Sequence, residues 1–187
     1  MARPTGDSQL TTGAAGTVTG VNLRLACPED AEATREIYNI EVTGSTVTFD
    51  LVPRSLEDQL AWLDQRSGAM AVVVAEIDGQ VVGFASLSPY RDRPAYATTV
   101  EDSVYVHTDF RGQGVARALL AEILEIGAAR GFHSVMARIE ASSLASRGLH
   151  ESCGFALVGI EREIGRKFGR WLDVALMQCL LHEQPDL

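Results

Sequence analysis

The segment Arg111-Gly112-Gln113-Gly114-Val115-Ala116 has the residue types and spacing of a phosphate cradle. It joins a strand-like run, Val104-Tyr105-Val106-His107, to a long amphipathic pattern that starts at Gly114. Two glycines let the backbone turn tightly and approach a ligand with no Cβ in the way. The first N–H groups of a helix lack partners within it, and the helix dipole adds partial positive charge, so an anion is favoured there. Arg111 and Arg117 add charge nearby. The implied chemistry is the holding of a pyrophosphate-sized anion. The spacing is not GxxxxGK[ST], which excludes a nucleoside-triphosphate loop. There is no GxGxxG after a first strand either, which excludes the usual dinucleotide site.

The flanking patterns supply elements to position such a loop. Val21–Ala26 alternates as a strand. Pro28-Glu29-Asp30 opens a helix carried on by Ala33, Ile37, Ile40 and Glu41, up to the break at Gly44. Ser55–Arg66 is a second helix, with a capping-box start at Ser55 and Asp58 and with Leu56, Leu60 and Leu63 on one face. Ala71–Ile77 and Gln80–Leu87 form a hairpin about Asp78-Gly79. A loop over Pro89–Ala97 leads to a strand at Asp102–His107, and Gly114–Arg130 is the long helix, ended by Gly131. A strand at Ser134–Ile139, a short helix at Ala145–Cys153, and strands at Phe155–Ile164 and Trp171–Leu181 about a Gly165–Arg170 turn complete the chain. The order β-α-α-β-β-β-α-β-α-β-β predicts an α/β fold with a mixed, mostly antiparallel central sheet flanked by helices.

At 187 residues, 46% of them apolar, the chain suits one core-forming domain over 21–182, with tails at 1–20 and 183–187. Sixteen basic against 25 acidic residues give a formal charge of −9, which argues against general binding to nucleic acid or anionic membranes. Cys27, Cys153 and Cys179 are widely spaced, with no CxxC or nearby histidine cluster, so neither a metal site nor a disulfide framework is expected. Reduced thiols and the lack of a membrane-length apolar run or a secretion-type leader fit the cytoplasm.

Arg111–Ala116 resembles the [QR]-x-x-G-x-[GA] signature of the GNAT superfamily of acetyltransferases, and Leu149-His150-Glu151-Ser152-Cys153-Gly154-Phe155 is similar to that family's L-[YH]-E-x-x-G-F segment. The likeness runs over residues 22–181. Within the superfamily, Ser45–Phe49, Val100–His107 and Gly165–Val174 resemble the phosphinothricin/methionine-sulfone N-acetyltransferase branch. Ser143 stands where that branch usually has Asn; it keeps a donor and an acceptor with a shorter reach.

The resemblance implies acetyl-CoA as co-substrate and direct attack by an amine in a ternary complex, without an acyl-enzyme; no cysteine is nominated as nucleophile. It places the coenzyme against Val104, Tyr105, Val106, Arg111, Gly112, Gln113, Gly114, Val115, Ala116, Arg117, Ser143 and Ser146, with a backbone N–H near Val106 facing the thioester carbonyl. Glu101 is implied as general base, with burial lifting its pKa toward neutrality. Asp102 beside it is expected at the surface. His150 is implied either as the acid that protonates the leaving thiolate or as a structural hydrogen-bonding contact. Phe49, Tyr96, Arg91 and Tyr105 flank the acceptor, and Arg91 or Arg93 suits a carboxylate. Lys167, Phe168, Trp171 and Asp173 are expected in core packing and a homodimer contact. The acceptor classes are a small amino-acid-like amine (phosphinothricin, methionine sulfone or sulfoximine) or another amine such as a polyamine, an antibiotic or a protein N-terminus. A non-catalytic acetyl-CoA-binding module needs the loop but neither Glu101 nor His150.

Overall fold

The computed structural model describes residues 20–181; the expected tails lie outside them, Gly20 apart. Among the described residues seven strands form one sheet: β1 (Asn22–Leu25), β2 (Val72–Ile77), β3 (Gln80–Pro89), β4 (Thr99–Val106), β5 (Ser134–Glu140), β6 (Ala156–Lys167) and β7 (Arg170–Leu180). Their spatial order is β1-β2-β3-β4-β5-β7-β6. Only β4 and β5 pair in parallel, as a strand–helix–strand crossover requires. The helices are α1 (Ala31–Gly44), α2 (Leu56–Asp64), α3 (Val115–Ala129) and α4 (Leu144–Ser152).

Alternation along the inner strands divides the core into two layers. Val73 and Ala75 of β2, with Ala85 of β3, pack with Leu119, Leu120 and Ile123 of α3. Val72, Val74 and Phe84 point the other way, onto Ile37, Tyr38 and Val42 of α1. Strands covered on both faces read as near-continuous apolar runs, and burial of each large side chain contributes roughly 1.5–3 kcal/mol.

Three expectations change in detail. On α2, Leu56 and Leu60 are 46% and 40% exposed, whereas Gln59 is fully buried. The helix turns Gln59 toward α1 because its amide is satisfied there: Nε2 donates to Thr34 Oγ1 at 3.1 Å and Oε1 accepts from Arg54 at 3.2 Å. The β6–β7 turn is tighter than Gly165–Arg170, since Lys167 pairs with Arg170 across Phe168-Gly169. Both turn residues have positive φ, +51° and +76°, a hairpin geometry that a phenylalanine does not advertise. Finally, β4 begins at Thr99, so Glu101 lies inside the strand. Asp102, expected at the surface, is 5% exposed. Its side chain is one residue out of phase with Glu101 and so points to the opposite face, into the layer that carries α4.

Candidate active site

The site forms where β4 and β5 part. Their pairing covers only Thr99–Glu101 against Ser134–Met136, while β3 follows β4 out to Val106. One edge of β4 is therefore open beyond Glu101. The His107 N–H donates to Val82 O at 2.9 Å on the β3 side. N–H directions alternate along a strand, so those of Val106 and Val104 point into the opening.

On one side of that opening is a cleft of about 430 Å³ lined by β4, the 111–117 loop and α4. Val104, Tyr105, Val106, Arg111, Gly112, Gly114, Val115, Ala116, Arg117, Ser143 and Ser146 all line it. Gln113 does not; its amide is turned back onto Asp109 O at 3.1 Å. Gly114 is the N-cap of α3 with φ +84°, a conformation that disfavours any side chain, and no side chain caps the helix. The first N–H groups of α3 are thus left for a ligand. Arg111 is anchored rather than free: Nε donates to Val106 O at 3.2 Å, and the guanidinium pairs with Glu41. Sequence reasoning missed this role for Glu41. The available signal was an acid on the same helical stripe as Ile37, and it is 4% exposed.

The α1–α2 side of β4 holds a second pocket, of about 260 Å³. Glu101, Ser103 and Tyr105, alternate residues of β4, form its floor, and Tyr38, Trp62 and Phe84 give aromatic walls. Burial pushes the Glu101 carboxyl pKa up; Arg138 opposes this, and the charges of Asp102 and Glu161 reinforce it. A carboxylate so placed can take a proton from an ammonium group. Tyr105 lines both pockets and joins them.

His150 is 3% exposed, and both of its ring nitrogens face acceptors. Nδ1 donates to Ser146 O at 2.7 Å, and Nε2 lies 3.1 Å from Asp102 Oδ2. Burial works to depress its pKa, but the Asp102 hydrogen bond and charge and the Ser146 carbonyl outweigh that and raise it. The ring can act as a buried cation paired with Asp102, tying α4 to β4; it has no third N–H to offer a thiolate.

The other expected acceptor residues are not gathered in the second pocket. Arg91 lies over Tyr90, with Cζ 5.0 Å from the ring centre, and Tyr90 meets Tyr96 edge-on at 5.7 Å, all on the β3–β4 connection. Phe49 packs onto Gly165 of β6 so closely that a Cβ there would lie 2.1 Å from the ring. Beneath it, Lys167, 3% exposed, donates to Thr48 O at 2.7 Å and Glu41 O at 3.3 Å. Conversely, Arg54, Trp62, Arg66 and Ser86 line the pocket and were not singled out by sequence. They come from α2, its flanks and β3, and no local motif connects them.

Fold and site together set an open helix N-terminus, suited to an anion, beside a pocket with a buried carboxyl, the layout of a group-transfer enzyme. Residues 33–155 match the family model described as Acetyltransferase (GNAT) family. An L-methionine sulfoximine/L-methionine sulfone acetyltransferase of Pseudomonas paraeruginosa is 38% identical over 86% of this chain and 94% of its own. A phosphinothricin N-acetyltransferase of Streptomyces coelicolor is 37% identical over 83% of this chain and 93% of its own. The crystal structure of a GNAT phosphinothricin acetyltransferase from Sinorhizobium meliloti in complex with acetyl-CoA superposes with a TM-score of 0.84, at 35% identity, over 87% of this chain and 89% of that one. The chain belongs to the GNAT family of acetyltransferases. It is an acetyl-CoA-dependent N-acetyltransferase, with acetyl-CoA as its co-substrate. The open helix N-terminus at Gly114 and the cleft beside it fit that coenzyme. Among the described residues no helix is long and apolar enough to cross a membrane.

Proposed function

We propose that this enzyme acetylates the amine of a small amino-acid-like acceptor of the phosphinothricin, methionine sulfone or sulfoximine type, by direct attack in a ternary complex. The observation that carries the reading is the Glu101 pocket, small, aromatic-walled and joined to the coenzyme cleft through Tyr105. Acetyl-CoA supplies the acetyl group as an activated thioester. The 111–117 loop, the α3 N-terminus and Arg117 hold its diphosphate, with Ser143 and Ser146 along the cleft. The Val106 N–H meets charge developing on the acetyl oxygen. Glu101 takes the proton that the ammonium must lose, which its raised pKa suits. Outside the pocket's own lining, Arg91 on the β3–β4 connection is the proposed partner for the acceptor carboxylate, with Phe49 and Tyr96 as outer walls. His150 acts through Asp102 as a positioning pair, and thiolate departure needs little help because a thiol of pKa about 8.5 leaves readily.

Two further readings belong with this one. The enzyme works in the cytoplasm, in keeping with its three free cysteines. It is also a homodimer through β6–β7, where Ile164 on the edge strand β6, Phe168 in the turn and Trp171 at the start of β7 are 54%, 56% and 60% exposed. The decisive assay is coenzyme thiol release with L-methionine sulfone, L-phosphinothricin, spermidine and a short peptide at one pH. The amino-acid analogues are expected to give the higher kcat/KM. Equal or better turnover of spermidine or the peptide contradicts the acceptor assignment.

A further inference from the structure

The acceptor pocket carries more positive charge than it can neutralise. Arg54 and Arg66 both line it, with Glu101 the one carboxyl among the lining residues. Arg66 Nε donates to Ser88 Oγ and its Nη1 to Trp62 O, both at 3.1 Å, and both acceptors are neutral. Its Cζ stacks 4.2 Å from the Trp62 ring centre. Burial, then the charge of Arg54, lowers the Arg66 pKa to about 10. Arg54 stacks 3.7 Å from the Tyr38 ring centre and donates to Gln59 Oε1 at 3.2 Å. Its acidic partner, Asp50, is a long 3.7 Å away, is half exposed, and already accepts the Tyr38 hydroxyl at 2.6 Å. On β3, two residues before Ser88 and on the same face, the Ser86 hydroxyl is 1% exposed and has no hydrogen-bond partner.

Two guanidinium groups held over aromatic rings, with a spare hydroxyl in the same pocket, make a receptor for an anion. A planar fork stacked on a ring is already oriented, so little side-chain freedom is lost when it binds. An anion between the forks would relieve their mutual repulsion and give Ser86 an acceptor. We propose that Arg54 and Arg66, with Ser86, receive the far end of the acceptor side chain and select an amino acid ending in an anion, such as a phosphinate, over one ending in a neutral sulfone. The proposal rests on the acceptor reading above and sharpens it, because the relatives' names span both kinds of side chain. Arg91 remains the partner of the α-carboxylate, which both acceptors share.

The test is the ratio of kcat/KM for L-phosphinothricin to that for L-methionine sulfone, at one pH, in the parent and in Arg54→Gln, Arg54→Lys and Arg66→Gln. Both acceptors have the same α-amine and α-carboxylate, so the ratio isolates the side-chain terminus. The parent is expected to favour the phosphinate at least tenfold. Arg54→Gln and Arg66→Gln should each cut that preference about tenfold or more, and Arg54→Lys should restore part of it. If Arg66→Gln fails to fold, the two Arg54 variants decide alone. A parent that prefers the sulfone, or an Arg54→Gln protein with an unchanged ratio, overturns the selection while leaving the amino-acid acceptor reading intact. Thiol release with spermidine but with neither amino acid overturns both.

Discussion

The coenzyme cleft and the acceptor pocket meet at Tyr105 yet are built by different means, and the difference explains which of them was readable in advance. The cleft is made largely of backbone: an open helix N-terminus, a glycine with φ +84°, and the unpaired edge of β4. Those features share one stretch of chain, Val104–Arg117, which the sequence displays, while Ser143 and Ser146 of the α4 side complete the cleft from a distance. The pocket is made of side chains from α1, α2, β3 and β4, brought together only when the sheet and its helices pack. Coenzyme recognition can then stay fixed while acceptor recognition changes by substitution at scattered positions.

Substitutions in the two regions should separate in what they damage. The largest effect on coenzyme binding belongs to Gly114→Val. A β-branched residue is strained at that φ and obstructs the approach of a diphosphate. At 100 times its dissociation constant, acetyl-CoA should stabilise the parent by about 2.7 kcal/mol. The variant should fold, by circular dichroism, and show no such rise in melting temperature; an undiminished rise would remove the loop from coenzyme binding.

The largest effect on folding stability belongs to the buried pair behind the open edge. Asp102→Ala leaves the His150 imidazolium uncompensated, which for a buried pair costs about 3–5 kcal/mol. Because the folded pKa of His150 is raised, the stability the pair confers is fully present below the unfolded value of about 6.5 and is lost as pH rises through the folded one. Urea titrations of parent and variant should therefore differ more at pH 6 than at pH 9. A difference independent of pH would mean that His150 is neutral in the folded protein.

On the acceptor side, Gly165→Ala should cost about 1–3 kcal/mol, since the new methyl must displace the Phe49 ring. It should raise the acceptor KM and leave the acetyl-CoA dissociation constant unaltered; a change confined to the latter would merge the two regions. Smallest is the stability effect of Glu101→Gln. A carboxyl with a raised folded pKa costs stability as pH rises from its unfolded value of about 4.3 through the folded one. Thermal melts should show the variant slightly more stable than the parent at pH 8 and equal to it at pH 4.

What the sequence made legible follows the same division. Element order, the Asp78-Gly79 hairpin and the α3 start follow from local periodicity and turn chemistry, which need no tertiary context. The burial of Asp102 and Gln59 does not, because each is permitted only by a distant partner, His150 at |i−j| = 48 and Thr34 at |i−j| = 25. Likewise Phe168 at positive φ is set by hairpin closure against strand twist, and no propensity of phenylalanine signals it. Glu101 was nominated through the resemblance of Val100–His107 to the phosphinothricin/methionine-sulfone branch and not by a local pattern. Arg54 was not nominated, because it stacks on Tyr38 of α1, and Arg66 was not, because its place in the pocket depends on Ser88 of β3, 22 residues away.

The separation of the two regions is tested most directly by one protein measured two ways: acetyl-CoA affinity and single-turnover thiol release in Glu101→Gln, with a saturating amino-acid acceptor. The expected result is an acetyl-CoA dissociation constant within about threefold of the parent and a rate lower by roughly two to four orders of magnitude, the range for a positioned base. A parent-like rate, or an equal loss in binding and rate, would contradict it.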